Sequence, residues 1–526
     1  MAALIRVTGA HATLSGIRDP AEVLQAHLSV LHPGRFYSRA FKEKRWNGRV
    51  NLASGSTFPA GFVQRIRAVL DDRGQSPTVR SRGGISFPPE SVSADCLEGI
   101  TLWDHQLEAV HAVLQHPRGI LHEPTGSGKT AMMAASARFF WEEKGWRSLV
   151  VVPRKGLAEQ TRSAFDSFFG GTIPVGIAGD GRREEGAVVV ATAQTLINFK
   201  AKTVKGRGRV AGDPWLRDLI EETDVLFLDE CHRASSKSWY EIAMACPAMR
   251  RYGFSGTPIV ADVLDDMNLE GATGRIVHHT ESVSLVQKGL AAKPKIAMVM
   301  SLNASGPALP RVPAQLTSTK RLTPKLVDLP YADAYTKGIV QNSTLNESVV
   351  AATRWMVKRG RRVLVMCRRK EHFLNLQDLL EVAGVRHAAL WGETVTEERL
   401  RAKHAFRDGE IDCILATTIF DEGEDIAGVG GIVLAEGVKA ITSTLQRIGR
   451  GTRGDTEDVW VVDFVPTNHP TLQDHAHKRC VEYENASYEV VVVDDWPAKL
   501  GRLPRALLPF ESWEATLESA LLAEGA

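Results

Sequence analysis

Short runs of Val, Ile and Leu recur through the middle of this chain, each followed by polar or glycine-containing residues: GIL (119–121), SLVVV (148–152), AVVVAT (187–192) and VLFLD (225–229). A run that is apolar at every position, rather than at every second one, predicts a strand buried on both faces, as in parallel sheets covered by helices. The series returns as RVLVMC (362–367), AALW (388–391), CILATT (413–418), GIVLAE (431–436) and VWVVDF (459–464), separated by helical stretches such as EHFLNLQDLLEVAG (371–384). Two α/β halves with parallel sheets follow. A Pro/Gly/Ser-rich passage, GGISFPPESVSADC (83–96), sets a boundary near residue 97. The expected organisation is an accessory α+β domain (1–97), a first α/β domain (98–285), a proline-containing connector (286–345) with a strand in KIAMVMSL, a second α/β domain (346–467) and a short C-terminal extension (468–526). The extension reads as a strand, YEVVVVDD, followed by a helix, ESWEATLESALLAEG.

At 526 residues, 44% hydrophobic and 24% charged, the chain is several domains long and globular in composition. No window approaches the roughly 18 consecutive apolar residues of a membrane span, and the N-terminus lacks the apolar stretch of a signal peptide, so a cytoplasmic protein without membrane contact is expected. Cys96, Cys231, Cys246, Cys367, Cys413 and Cys480 form no CxxC pair, which argues for reduced structural thiols over zinc or disulfides. The net charge of +2 hides an asymmetry: residues 1–97 hold 13 Lys/Arg against 7 Asp/Glu, residues 468–526 hold 5 against 10. The N-terminal region is the first candidate for contact with a polyanion.

GILHEPTGSGKTAMMAASARFFW (119–141) sets a strand, a glycine-containing loop and an Ala-rich helix in direct succession. That is the context of a phosphate-binding loop. Thr125, Gly126, Ser127 and Gly128 turn backbone N–H groups toward a β-phosphate at a helix N-terminus, Lys129 reaches the β/γ oxygens, and the Thr130 hydroxyl can ligate Mg²⁺. The strict pattern would have glycine at 123, where this chain has Glu123. A hundred residues on, VLFLDECH ends a buried strand in two acids. Asp229 can hold Mg²⁺ and Glu230 can polarise the water that attacks a γ-phosphate, the two tasks phosphoryl transfer leaves to carboxylates. ATP and Mg²⁺ are the ligands expected.

Asp229-Glu230-Cys231-His232 resembles the DECH form of the superfamily 2 helicase box, and the family's other motifs appear in order over about 100–465. The resemblance implies two tandem RecA-like domains and the following roles. Gln106 is similar to the glutamine that reads adenine. Arg154 in VPR (152–154) and Thr192 in ATAQ (191–194) are similar to motifs that track a strand through its phosphates, as are Thr417 and Thr418. Ser255 and Thr257 of FSGTP (254–258) resemble motif III, which with His232 couples hydrolysis to movement. Gly423 and Asp425 of DEGED (421–425) resemble the nucleotide-contacting part of motif V. QRIGRGTR (446–453) matches motif VI, giving Gln446 a catalytic role and making Arg450 and Arg453 arginine fingers that complete the first domain's site from the second.

GRFYSRAFKEKRWNGRVNL (34–52) carries Arg35, Arg39, Lys42, Lys44, Arg45 and Arg49 against one acid, with Phe36, Tyr37, Phe41 and Trp46 interleaved. Cations for phosphates and rings for bases make a nucleic-acid face, and the same rings could equally form a small core under a basic surface. With FPAG (58–61), this segment is similar to the N-terminal duplex-binding region of phage UvsW-type helicases, where Trp-Asp-Gly is more usual than Trp46-Asn47-Gly48. The UvsW/XPB-like branch implies unwinding or branch migration of forked DNA, D-loops or R-loops, in a bacterial or phage-infected cell. DNA, branched or duplex, with RNA–DNA hybrid as a further candidate, is the expected partner of a chain that is monomeric in isolation. A duplex translocase in a defence or restriction complex, an RNA-directed helicase and a nucleotide-gated clamp stay open beside it. A second basic run, Lys200, Lys202, Lys205, Arg207 and Arg209, is expected to be a mobile loop, solvated or gripping DNA.

Overall fold

The computed structural model describes residues 3–81, 91–124, 126–204, 208–256, 258, 263–281, 293–299, 308–309, 312–313, 326–417, 428–437, 458–485 and 488–493. The chain divides into two compact units, Met1–Glu281 and Ser282–Ala526.

The first unit begins with a four-stranded sheet in the order Thr57–Pro59, His11–Ser15, Leu4–Thr8, Thr78–Ser81, antiparallel except for the last pair. Leu4–Thr8 alternates, with Ile5 and Val7 inward and Arg6 and Thr8 outward, so this sheet has one core face. That face meets the helix Val63–Asp72 through Val63, Ile66 and Leu70, with Phe58 and Phe62 filling the space between.

The eight-stranded sheet that follows has the order Arg182–Arg183, Val175–Gly179, Val188–Thr192, Ser148–Val152, Val225–Asp229, Arg250–Ser255, Arg118–His122, Ile276–His279, parallel but for its first pair. Its central strands are buried at every position because both faces are covered. Val150, Val152, Val190 and Phe227 enter one core with the helices Asp104–Gln115, Lys129–Lys144 and Lys155–Phe169. Leu149, Val151, Val189 and Leu228 enter the other with Pro214–Glu221, Lys237–Ala245 and Val263–Thr273.

The small sheet domain is built onto this layer through the helix Val263–Thr273. Met267 sits in the small domain's core, Gly271 lies against Phe62, and Arg65 pairs with Glu270. Gly61 passes so close that a Cβ there would lie 1.7 Å from the Glu270 carbonyl oxygen. Gly61 and Phe58 of the FPAG segment thus act in packing. On the other side, the half-buried Arg118 donates to the Gly9 carbonyl at 3.1 Å, its pKa lowered to about 9 by desolvation of its guanidinium.

Within the basic run Lys202–Val204 and Gly208–Val210 form an antiparallel pair, Lys202 with Val210, Thr203 with Arg209 and Val204 with Gly208, while Lys205 and Arg207 lie outside the described residues. At these six residues the expected loop is replaced by a strand pair, whose ladder satisfies backbone groups that a loop would leave to water.

The second unit is a seven-stranded, all-parallel sheet in the order His387–Leu390, Cys413–Ala416, Val363–Met366, Gly431–Leu434, Asp458–Phe464, Lys293–Val299, Glu489–Val493. The strands read from sequence as connector and extension are therefore members of this sheet. Helix Pro470–Asn485 is fastened to it by a buried triad: Arg479 donates to both Asp463 carboxylate oxygens at 2.8 and 2.9 Å, and Tyr483 donates its hydroxyl to the same group at 3.0 Å. None of the six cysteines is paired, and four are buried. Among the described residues no helix is long and apolar enough to cross a membrane.

Candidate nucleotide and nucleic-acid sites

Strand Arg118–His122 runs into the loop that precedes helix Lys129–Lys144. Gly126 and Gly128 both have φ near +88°, a conformation L side chains rarely adopt, and this curls the loop over the helix N-terminus. The outward side is braced: Gln106 Nε2 donates to the Ser127 carbonyl at 2.8 Å and His105 Nε2 lies 3.0 Å from the same oxygen. The Ser127 N–H donates back to the Pro124 carbonyl at 3.2 Å, closing the loop into a turn at the helix N-terminus. Gln106 Oε1 also takes the Trp103 N–H at 3.0 Å, capping its own helix, so the residue expected to read adenine ties that helix start to the loop.

Lys129 is only 6% exposed. Its ammonium donates to the Glu123 carbonyl at 3.3 Å and stands 3.8 Å from Glu230 Oε1. Strand Val225–Asp229 delivers the acids: Asp229 is buried and accepts the Glu230 N–H on Oδ1 at 3.0 Å. Glu230 has φ of +51°, a left-handed conformation costing a non-glycine residue on the order of 1 kcal/mol, and it is half-buried facing Lys129. Next to it, His232 Nδ1 lies 3.6 Å from Glu230 Oε2 and 3.0 Å from the hydroxyl of Ser255, which is fully buried at the end of its strand. The structure thus brings Lys129, Asp229, Glu230, His232 and Ser255 into one contiguous set, with Thr130 half-buried beside Lys129.

Glu123, met in the sequence only as a departure from glycine, proves to be a strut. Its side chain is 0% exposed; Oε1 accepts from the Thr280 hydroxyl at 3.0 Å and lies 3.0 Å from His278 Nδ1. Its N–H donates to the Ser255 carbonyl at 2.9 Å. One residue therefore joins the phosphate loop, the end of the Ser255 strand and the edge strand Ile276–His279. Nothing in the local sequence announced it, because His278 and Thr280 lie more than 150 positions away.

Thr125, Thr257, Thr418, Gly423, Asp425, Gln446, Arg450 and Arg453 lie outside the described residues. Thr192 is an N-cap. Buried at 1% exposure, its hydroxyl accepts the Thr195 N–H at 3.2 Å and caps the short helix Ala193–Leu196. Thr417 is buried just past its strand, and Arg154 is half-buried at the N-cap of Lys155–Phe169.

In the N-terminal domain the strands Ser29–Leu31 and Arg49–Asn51 pair, and His32 N–H donates to Gly48 O at 2.8 Å, closing off residues 33–47 as an excursion. Trp46 meets His32 and Phe41 edge-on, at centroid distances of 5.9 and 6.3 Å, and donates Nε1–H to the Arg49 carbonyl. Trp46 is therefore a half-buried packing residue in this excursion. Gly48, with φ of +78°, lets the chain pass the Phe41 ring and the Arg35 stem. Asn47 Oδ1 accepts the Arg49 N–H at 3.0 Å, a bond an aspartate would make equally well. Arg39 and Arg45 both pair with Glu43, and Arg49 is tied to Ser29. Lys42 and Lys44 are exposed.

Residues 99–260 match the family model for the res subunit of type III restriction enzymes, and residues 344–455 match the helicase conserved C-terminal domain. The chain is 24% identical over 440 residues to the ATP-dependent DNA helicase uvsW of Enterobacteria phage T4, covering 80% of this chain and 81% of that one. It is 23% identical over 386 residues to the DNA 3'-5' translocase XPB2 of Sulfurisphaera tokodaii, covering 70% and 82%. Among solved structures, S. cerevisiae Dbp5 bound to RNA and ADP BeF3 superposes with a TM-score of 0.51 at 14% identity, covering 81% of this chain and 95% of that one. That likeness shows the tandem RecA-like fold.

Proposed function

We propose that this chain, which belongs to the superfamily 2 helicases and hydrolyses ATP, couples that hydrolysis to movement along DNA, unwinding or branch-migrating forks, D-loops or R-loops. The observation that carries the reading is the continuous contact from Lys129 to Glu230, His232 and Ser255. It gives the phosphate loop a mechanical output at the motif III strand. The matched relatives named above are a DNA helicase and a DNA translocase, which favours DNA over RNA.

In this reading Lys129 and the loop amides hold the β- and γ-phosphates, and Glu230 takes the proton of the attacking water. The resemblance assigns Arg450 and Arg453 to the charge of the transition state. The Thr130 hydroxyl and the Asp229 carboxylate are an all-oxygen donor pair of the kind Mg²⁺ accepts while keeping its waters, and they would hold it. Bound there, Mg²⁺ would neutralise charge on the phosphates. His232 and Ser255 then register whether Glu230 faces a γ-phosphate.

The test is steady-state ATP turnover with single-stranded, duplex and forked DNA and with RNA–DNA hybrid. Forked or duplex DNA is expected to stimulate most. Stimulation by RNA alone would turn the assignment to an RNA-directed enzyme, and tight ATP-dependent binding without turnover to a clamp.

A further inference from the structure

The excursion at residues 33–47 sorts its four aromatic rings into two kinds. Phe41 and Trp46 pack with His32 beneath it, whereas Phe36 is 58% exposed and Tyr37, at 90%, is the most exposed large hydrophobic side chain among the described residues. Phe36 is held in place: the Arg35 guanidinium lies over its ring at 4.3 Å and Phe41 meets it edge-on at 5.5 Å. The backbone beneath is fixed by His32 Nδ1, which accepts the Gly34 N–H, by Ser38 N–H on the Arg35 carbonyl, and by the Trp46 indole on Arg49. A rigid element that presents two adjacent rings to water calls for an explanation, because apolar rings packed inward would be more stable.

Charge identifies the occupant. Six Lys/Arg against one acid in residues 34–49 make the excursion cationic, with Arg35 over the Phe36 ring and Lys42 and Lys44 exposed, which suits a polyanion with stackable flat groups and disfavours an apolar protein surface. A single protruding pair at the tip cannot follow a strand, which needs successive platforms. It can cap one exposed base pair. We propose that Tyr37, backed by Phe36, stacks on the terminal base pair at a duplex junction and so separates the strands, while Lys42 and Lys44 hold the flanking phosphates. The inference rests on the DNA-motor reading above and supplies the strand-separating element for it.

The full-length protein is mixed, without nucleotide, with forked DNA carrying 2-aminopurine either at the junction pair or deep in the duplex. Wild type is expected to change the emission of the junction probe alone. Tyr37→Ala should lose that change and separate about tenfold fewer strands per ATP hydrolysed, the loss of about one base–aromatic stack; Tyr37→Phe should restore both. A Tyr37→Ala protein with the wild-type probe response and wild-type strands per ATP overturns the proposal while leaving the motor intact. A wild-type protein whose turnover responds to no nucleic acid overturns the motor reading, and this one with it.

Discussion

Lys129 Nζ and Glu230 Oε1 stand 3.8 Å apart, the first at the start of the phosphate-loop helix and the second in a left-handed turn just past the strand Val225–Asp229. In the proposed mechanism that separation sets the phosphate-binding cation beside the base for the attacking water. Lys129→Ala should lower ATP turnover by about a hundredfold or more, and Glu230→Gln should do the same while trapping bound ATP. Single-turnover quench assays read both. A Glu230→Gln protein that turns over normally would remove Glu230 from the role of general base.

Arg450 is assigned by its motif to the transition state. Arg450→Ala should lower turnover by roughly a thousandfold while ATP affinity, measured with a fluorescent analogue, changes by less than about tenfold. Equal losses in both would make it a ground-state binding residue instead.

Ser255 touches His232 at 3.0 Å and is fully buried. Ser255→Ala removes the hydroxyl without adding volume, so turnover should persist while strands separated per ATP fall about tenfold. Proportional loss of hydrolysis and unwinding would place Ser255 in catalysis and not in coupling.

Gly61 admits no side chain, since a Cβ would lie 1.7 Å from Glu270 O. Gly61→Ala should cost about 1–3 kcal/mol in urea unfolding by forcing the small domain away from the helix Val263–Thr273. Gly156→Ala, where nothing stands within 4 Å, is the control and should be neutral or slightly stabilising. Equal effects at the two positions would contradict the close approach.

His372 is buried in the second unit with Nε2 2.8 Å from Asn346 Oδ1, and burial pushes its pKa from 6.5 down to about 4. The folded protein keeps it neutral while the unfolded chain protonates it. Its contribution is thus present above pH 6.5 and is lost progressively as pH falls toward 4. Between pH 7 and 5 wild type should lose about 2 kcal/mol more than His372→Gln. Parallel pH profiles would show that the imidazole is charged in the fold.

Much of this was legible in the amino-acid pattern because the signals are local. The double-sided burial of SLVVV and VLFLD requires near-continuous apolar runs, and the phosphate loop requires glycines between a strand and a helix. What escaped is non-local. Strand Arg250–Ser255 opens with two arginines that no strand pattern predicts; they are buried because carbonyls satisfy them, Arg251 reaching Ala272 O at 2.8 Å and Cys246 O at 2.9 Å. Lys293–Val299 and Glu489–Val493 were recognisable as strands, yet their pairing with each other spans nearly two hundred residues of chain. The capping role of Thr192 and the packing role of Trp46 were not legible for one reason: whether a hydroxyl or ring is engaged depends on what it caps or packs against. Glu123 shows the converse, a mismatch to a motif that turned out to be a structural joint.

The most direct test of the account is ATP-driven displacement of a labelled strand from forked DNA by the purified protein, followed in real time. With ATP and Mg²⁺ the fork should open, and with a non-hydrolysable analogue, or with Glu230→Gln, it should not. Fork opening that is equally fast without hydrolysis, or none under any condition despite DNA-stimulated turnover, would contradict the claim that hydrolysis at Lys129 and Glu230 drives strand separation.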